Sequence, residues 1–168
     1  MTSSLFQTDW RLKGRLWDHL IGADLSFVRR FHPYSKSWDH EHCSFCFSVI
    51  GEAADDLHSG YCTSDAEISK EDWICEKCFA DFAPLFGWTV KSYPALYGQK
   101  LTHREFSSAA DTKKKERCVL CLSCIGGRED AHREGYFVQT TQGILWICRT
   151  CYDEYRVEYH WSEEKMSG

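Results

Sequence analysis

Hydrophobic residues along the second half of the chain change their spacing from strand-like to helix-like. Two runs of β-branched and aromatic residues, Tyr136–Thr141 and Ile144–Ile147, flank a Gln-Gly pair, which predicts a β-hairpin. Aromatic residues at helical spacing follow in both halves of the chain: Tyr152, Tyr155 and Tyr159, and earlier Phe79, Phe82 and Phe86. The pattern therefore predicts a hairpin and then a helix in each half, although Pro84 should kink or end the first helix.

Each half also begins with a stretch in which apolar and basic residues alternate. Leu25–Phe31 and Leu101–Phe106 each predict one exposed lead-in strand. Ser107–Thr112 has no periodicity and predicts a flexible loop, and the polar tail 162–168 is expected to fray.

The cysteines explain how so short a pattern can be stable. The chain has ten cysteines, and eight of them form four Cys-x-x-Cys pairs. Two such pairs complete the tetrahedron of thiolates that zinc prefers, and the spacing between pairs is 28 residues in the first half and 26 in the second. The sequence predicts two structural zinc ions with these ligands: Cys43, Cys46, Cys75 and Cys78; and Cys118, Cys121, Cys148 and Cys151.

The two halves match well beyond cysteine. Gly51, Asp55, Gly60 and Tyr61 recur 75 residues later as Gly126, Asp130, Gly135 and Tyr136. We interpret this match as a tandem duplication and predict two zinc-binding repeats, residues 1–87 and 88–168. Cys62 and Cys124 have no counterpart in the other half, which favours small buried side chains over ligands or nucleophiles.

Length and composition exclude several classes of protein. The 168 residues are 43% hydrophobic and 27% charged, values that exclude a disordered tail or a coiled coil. The longest run without charge, Phe82–Val90, is about half of a membrane span. The start of the chain has no basic region followed by an apolar one, so we expect a cytoplasmic protein, in which reduced thiols bind metal.

Candidate chemistry outside the cysteine pairs is sparse. A four-thiolate zinc site has no open position for water, which argues for structure rather than catalysis, with redox-active dithiols as the alternative. His40, His42, His58 and His132 are expected to flank a metal knuckle or cap turns, and Asp55-Asp56 to form a solvated turn. No nucleophile and base pair or phosphate loop is recognisable.

Charge bears on the kind of partner. The formal net charge is −5, and eight thiolates with two zinc ions would bring it to about −9, which disfavours phosphate backbones. A local basic patch is still conceivable, so the candidate nucleic-acid or partner contacts are Arg29, Arg30, Lys113, Lys114 and Lys115, accompanied by Lys36 and Arg117. Abundant aromatic residues and acidic balance favour a protein partner of basic character.

The order of knuckle, hairpin and helix resembles the treble-clef zinc fingers. A rubredoxin-like ribbon usually has Gly after the second cysteine of each knuckle, where this chain has Phe47, Phe79, Leu122 and Tyr152. The first half is also similar to a group of small uncharacterised bacterial cytosolic proteins, on these strings: Asp9-Trp10-Arg11-Leu12, Trp38–Cys46, Leu57–Tyr61 and Trp73–Phe82. The resemblance implies an α+β fold, a zinc site and a bacterial source. By analogy we expect a non-enzymatic module that binds a protein, as an immunity or accessory factor, rather than a nucleic-acid-binding finger or a redox or metal-dependent enzyme.

Overall fold

A computed structural model describes residues 8–13, 17–63, 71–106, 116–126, 132–141 and 143–164 of the chain. The fold is mixed α+β, with two helices and several small sheets among these residues. The chain forms two compact units, one of Met1–Phe31 with His40–Lys91 and one of His32–Asp39 with Ser92–Gly168. The predicted boundary between the repeats, after residue 87, comes from aligning the two halves of the sequence, and it stays a prediction. In the structure the first compact unit continues to Lys91.

Among the described residues, the first unit contains six strands and one α-helix. Its four-stranded sheet has the order β5-β4-β1-β6, and β2 pairs with β3 as a separate hairpin. The strands are β1 (Asp24–Val28), β2 (His40–His42), β3 (Val49–Gly51), β4 (Gly60–Thr63), β5 (Trp73–Ile74) and β6 (Thr89–Val90). Helix α1 (Glu76–Phe86) follows β5 directly, and short 3₁₀ turns cover Trp10–Leu12 and Asp18–Leu20.

Among the described residues, the second unit repeats the order of strands and α-helix found in the first. Its four-stranded sheet has the order β11-β10-β7-β12, and β8 pairs with β9. The strands are β7 (Lys100–Glu105), β8 (Glu116–Arg117), β9 (Cys124–Ile125), β10 (Glu134–Thr140), β11 (Gly143–Cys148) and β12 (Ser162–Glu164). Helix α2 (Arg149–Tyr155) follows β11, and a 3₁₀ turn covers Pro94–Leu96. The hairpin that the sequence predicts is β10 and β11, which pair from Gly135↔Cys148 to Thr140↔Gly143.

The lead-in strands are central strands and not exposed ones, so that prediction was wrong. β1 lies between β4 and β6, and β7 lies between β10 and β12. Leu25, Val28 and Leu101 are fully buried. The reason is that each helix is followed by a short, solvent-exposed strand that pairs in parallel with the lead-in strand and covers its second edge.

The ends of the helices differ from expectation. Helix α1 continues two residues past Pro84, because the proline lies in its last turn, and it ends at Gly87 in the left-handed conformation (φ 68°). Helix α2 ends at Tyr155 and does not include Tyr159, and the turn that follows reaches His160, a non-glycine residue with φ 54°. Ser162–Glu164 is not frayed, since it forms β12 against β7. The predicted loop 107–112 lies outside the described residues.

Equivalent aromatic contacts hold each helix on its sheet. Tyr61 stacks on Phe79 with ring centroids 3.7 Å apart, and in the second unit Tyr136 stacks on Tyr152 at the same 3.7 Å. The indole N–H groups of Trp88 and Trp161 are also equivalent, donating to Leu20 O at 2.8 Å and to Leu96 O at 2.6 Å. Each unit therefore has its own core, which includes cysteines of its own pairs.

None of the helices in the described part of the chain is long and apolar enough to span a bilayer.

Candidate metal centre

The four cysteine pairs converge into two cages, each formed within one unit. One contains Cys43, Cys46, Cys75 and Cys78, the other Cys118, Cys121, Cys148 and Cys151, and within each cage all sulfur atoms lie within 4.8 Å of one another. The Sγ atoms of Cys46 and Cys75, and those of Cys121 and Cys148, are 3.6 Å apart. A tetrahedral zinc site with Zn–S bonds near 2.3 Å has S–S edges of about 3.8 Å. Both cages therefore fit a structural zinc ion held by four cysteines.

The first pair of each cage forms a tight knuckle. The amide of Phe47 donates to Cys43 O, and the amide of Leu122 donates to Cys118 O, both at 2.8 Å. Phe47 and Leu122 each have φ 62°, the left-handed conformation that favours glycine. Residues other than glycine thus adopt the left-handed conformation of a knuckle in this chain. The lack of glycine was therefore the wrong reason to disfavour a rubredoxin-like ribbon.

The second pair of each cage lies at the start of a helix. Cys75 and Cys148 have extended backbone and act as N-caps, their sulfur atoms accepting from the amides of Cys78 and Cys151 at 3.4 Å. The amide of Cys75 also donates to Cys43 Sγ at 3.3 Å. Such N–H donors favour the thiolate form of the sulfur. In each unit a parallel bridge, Cys43↔Trp73 or Cys118↔Trp146, joins the knuckle to the strand that leads into the helix.

The electrostatics of the cages call for a cation. Hydrogen bonds from Cys75 and Cys78 hold the pKa of Cys43 far below its usual range, while proximity to Cys43 raises the pKa of Cys75 to about 11 and that of Cys78 further. Protein groups alone thus favour the thiolate of Cys43 and keep Cys75 and Cys78 protonated. Four thiolates coexist there only when a divalent cation such as Zn²⁺ balances their charge.

An arginine far away in the sequence supports the first cage. Arg11 Nη1 donates to Cys78 Sγ at 3.4 Å and to Asp81 Oδ2 at 2.7 Å, and Arg11 Nη2 pairs with Asp9 Oδ2 at 2.7 Å. The guanidinium carbon also lies 4.4 Å from the centre of the Phe82 ring. The pKa of Asp9 is lowered by this contact. Sequence reasoning missed Arg11 as a cage residue, although it belongs to the Asp9-Trp10-Arg11-Leu12 string.

A histidine supports the second cage at a different place, beside Cys148. A hydrogen bond with Cys148 raises the pKa of His132. Residue 57, the equivalent of His132 in the repeat, is leucine, and both positions form the same bridge, Ile50↔Leu57 and Ile125↔His132. His132 therefore does more than cap a turn.

The other candidates lie outside the cages. His42 Nδ1 contacts Phe47 O at 3.2 Å, and His58 Nδ1 contacts Gly51 O at 2.9 Å, so both support turns as expected. Asp56 accepts from the amide of Ala53 at 3.1 Å within a turn. Cys62 is fully buried in β4, and Cys124 is partly buried in β9.

Only some of the basic candidates lie among the described residues. Arg29 and Arg30 are exposed at the end of β1, but Arg117 Nε donates to Leu122 O at 2.9 Å and thereby stabilises the second knuckle. Lys113, Lys114 and Lys115 lie outside the described residues. Their role as nucleic-acid or partner contacts stays a prediction.

Comparison with known proteins adds no family to this picture. The chain thus has two cysteine cages suited to zinc, in a tandem pair of like units. No protein-family model, curated protein or solved structure gives a match to it.

Proposed function

We propose that this protein is a non-enzymatic, zinc-stapled pair of treble-clef-like units that binds another protein. The observation that carries the proposal is the completeness of the cages. Each has four sulfur ligands within metal-binding distance, so a zinc ion held there has no open position for water or substrate. Knuckle, paired strands and helix follow one another in both units, which supports the treble-clef-like assignment.

Exposed apolar side chains supply candidate anchors for a partner. In the first unit Trp10 is 62% exposed, Phe47 is 52% exposed and Leu57 is 41% exposed. Trp10 and Leu57 line one cleft of about 540 Å³ beside the first cage, together with Cys46. Large apolar side chains at a concave site are typical centres of protein interfaces, where tryptophan carries much of the binding energy.

Charge favours a basic partner. The chain has 25 acidic and 20 basic residues, and each loaded cage adds two further negative charges through four thiolates and one zinc ion. Complementary charge accelerates encounter with a cationic protein and disfavours nucleic acid. A basic toxin or effector neutralised by an immunity or accessory factor in a bacterial cytoplasm fits this balance.

The test is capture of partners by the zinc-loaded protein from a bacterial lysate treated with nuclease. We expect wild type to retain a basic protein directly, with the Trp10→Ser and Leu57→Ser variants losing it by about tenfold or more, as for interface anchors. Val157→Ser is the matched control, because Val157 is 77% exposed in the second unit, and it should bind as wild type does. Equal retention by all variants, or no retained protein, would contradict the proposal.

Two alternative functions predict different results, one in the capture experiment and one in the reactivity of the cage thiols. A nucleic-acid-binding finger would retain nucleic acid without nuclease, lose it steeply with salt, and weaken on substitution of Arg29 and Arg30. A redox enzyme would show cage thiols that cycle with a dithiol reductant while zinc is bound. Thiols that react with such reagents only after metal removal support the structural cage.

A further inference from the structure

The two cages differ in how exposed one of their four cysteines is. Cys46 is partly exposed, whereas its equivalent in the second unit, Cys121, is only 3% exposed. Their local bonds are the same, since each sulfur lies 3.2 Å from the hydroxyl of the serine two residues on and 3.6 Å from the N-cap sulfur. Exposure, and not local bonding, therefore distinguishes these two ligands.

The more exposed of these two cysteines lines a cleft. The cleft of about 540 Å³ is mostly apolar, with Trp10 and Leu57 among its walls, and the sulfur-bearing residues Cys46, Cys75 and Cys78 also line it. A cleft of about 820 Å³ in the second unit is lined, among the described residues, by groups that include no cysteine. Only the first of these two clefts gives a small molecule access to a cage.

We propose that Cys46 is a modification site for apolar α,β-unsaturated carbonyl compounds, which reach its sulfur through the first unit's cleft. This inference rests on the zinc cage of the proposed function but not on the protein partner. A metal-bound cysteine is a thiolate, the nucleophilic form of the residue. Apolar walls suit the hydrocarbon part of such a compound better than they suit a charged or strongly hydrated oxidant.

A cation at the cleft suits the oxygen of the same compound. Lys77 lines the cleft, its side chain is 78% exposed, and its ammonium donates to Asp81 Oδ2 at 3.0 Å. An ammonium has three N–H donors, so Lys77 can also donate to a carbonyl oxygen and stabilise the enolate that forms. Arg11, the other cation lining the cleft, is occupied with Asp9, Asp81 and Cys78.

The reaction is a conjugate addition that needs no oxidant. The Cys46 sulfur lone pair forms a bond to the β-carbon, the carbon–carbon π pair moves to the α-carbon as an enolate, and water then protonates that carbon. Cys46 becomes a neutral thioether, so the first cage has one charged ligand fewer and holds zinc more weakly. The second cage keeps its four thiolates.

The experiment uses N-ethylmaleimide on the full, zinc-loaded chain, whose zinc content is measured first. Peptide mass spectrometry follows the label at each cysteine with time, and a chromogenic chelator follows zinc release. We expect Cys46 to be labelled about tenfold faster than Cys121 or more, because a buried thiol reacts only after local opening. One zinc per chain should be released in step with the Cys46 label.

Two variants test the route without altering a ligand. Leu57→Trp narrows the cleft and should slow labelling of Cys46 severalfold, whereas Val157→Trp, on an exposed residue of the second unit, should leave it unchanged. Cys124, partly exposed and outside both cages, gives the reference labelling rate in every variant. Equal rates at Cys46 and Cys121, or no slowing by Leu57→Trp, would overturn the inference. A protein that contains no zinc before the reagent is added would instead overturn the proposed cages.

Discussion

Phe47 is not glycine, yet its backbone has the left-handed conformation of a knuckle. At this position we therefore expect a glycine variant to be more stable than an alanine variant, the reverse of the usual order. We consider Phe47→Gly and Phe47→Ala, both of which remove a ring that is 52% exposed. Only glycine removes the left-handed penalty, which is about 1–2 kcal/mol for other residues. Glycine also lowers the free energy of unfolding by about 0.4–1 kcal/mol relative to alanine, because it makes the unfolded chain more flexible. The glycine variant should therefore be more stable than the alanine variant by about 1 kcal/mol.

Phe79 provides the matched control beside the same cage. It also follows the second cysteine of a pair, but it lies in helix α1, where glycine is less favourable than alanine by about 1 kcal/mol. Phe79→Ala should therefore be more stable than Phe79→Gly, the opposite order. The stability of the glycine variant minus that of the alanine variant should thus be about 2 kcal/mol higher at position 47 than at position 79.

Urea unfolding at a fixed excess of zinc, followed by tryptophan fluorescence, measures these differences. The slope against urea should be the same for all four variants, so that midpoints report stability. If alanine is as stable as glycine at position 47, the conformation of the knuckle or the reasoning from it is wrong. The same order at both positions would be equally contradictory.

Three further outcomes follow from the structure. Chelation of zinc should abolish the cooperative fold seen by near-ultraviolet circular dichroism, because structural zinc contributes apparent energies of about 10–16 kcal/mol, and restoring zinc should recover it. Zinc affinity of the first cage should fall as the pH is lowered from about 8 to about 6, because zinc must displace the protons that Cys75 and Cys78 keep in the metal-free cage; chelator competition across pH measures this, and a flat profile would contradict it. Trp88→Phe and Trp161→Phe should each lower unfolding stability by about 1–3 kcal/mol, because each leaves a backbone carbonyl without its indole donor, and a neutral effect in urea unfolding would rule out these bonds as supports.

The sequence predicted the cages and the repeat better than the details around them. Cysteine spacing and the 75-residue register are strong signals, because few arrangements other than a metal cage use them together. The hairpin of β10 and β11 and the helix after it follow from periodicity in the same way. These features each leave a direct signal in the sequence, as a spacing, a repeat or a periodicity.

What sequence reasoning missed depends on distant contacts or on backbone conformation. Arg11 meets Cys78 across 67 residues, and no local pattern marks that contact. Phe47 and Leu122 are in the left-handed region because two cysteine ligands fix the turn, whatever residue follows them. The strand Ser162–Glu164 is exposed throughout and has no apolar alternation, so only its pairing with β7 identifies it as a strand.

The last strand of each unit, β6 or β12, bears on how such a protein can be lengthened by gene duplication. Asp24, where β1 begins, pairs with Thr89 at the beginning of β6, and Lys100 pairs with Ser162 in the same way. The polypeptide thus enters the sheet and returns to it on neighbouring strands, and only three residues separate Val90 from the 3₁₀ turn at Pro94 that precedes the next lead-in strand. A folding unit whose first and last strands are neighbours can be copied in series by a simple genetic duplication, since each copy completes its own sheet and ligates its own metal.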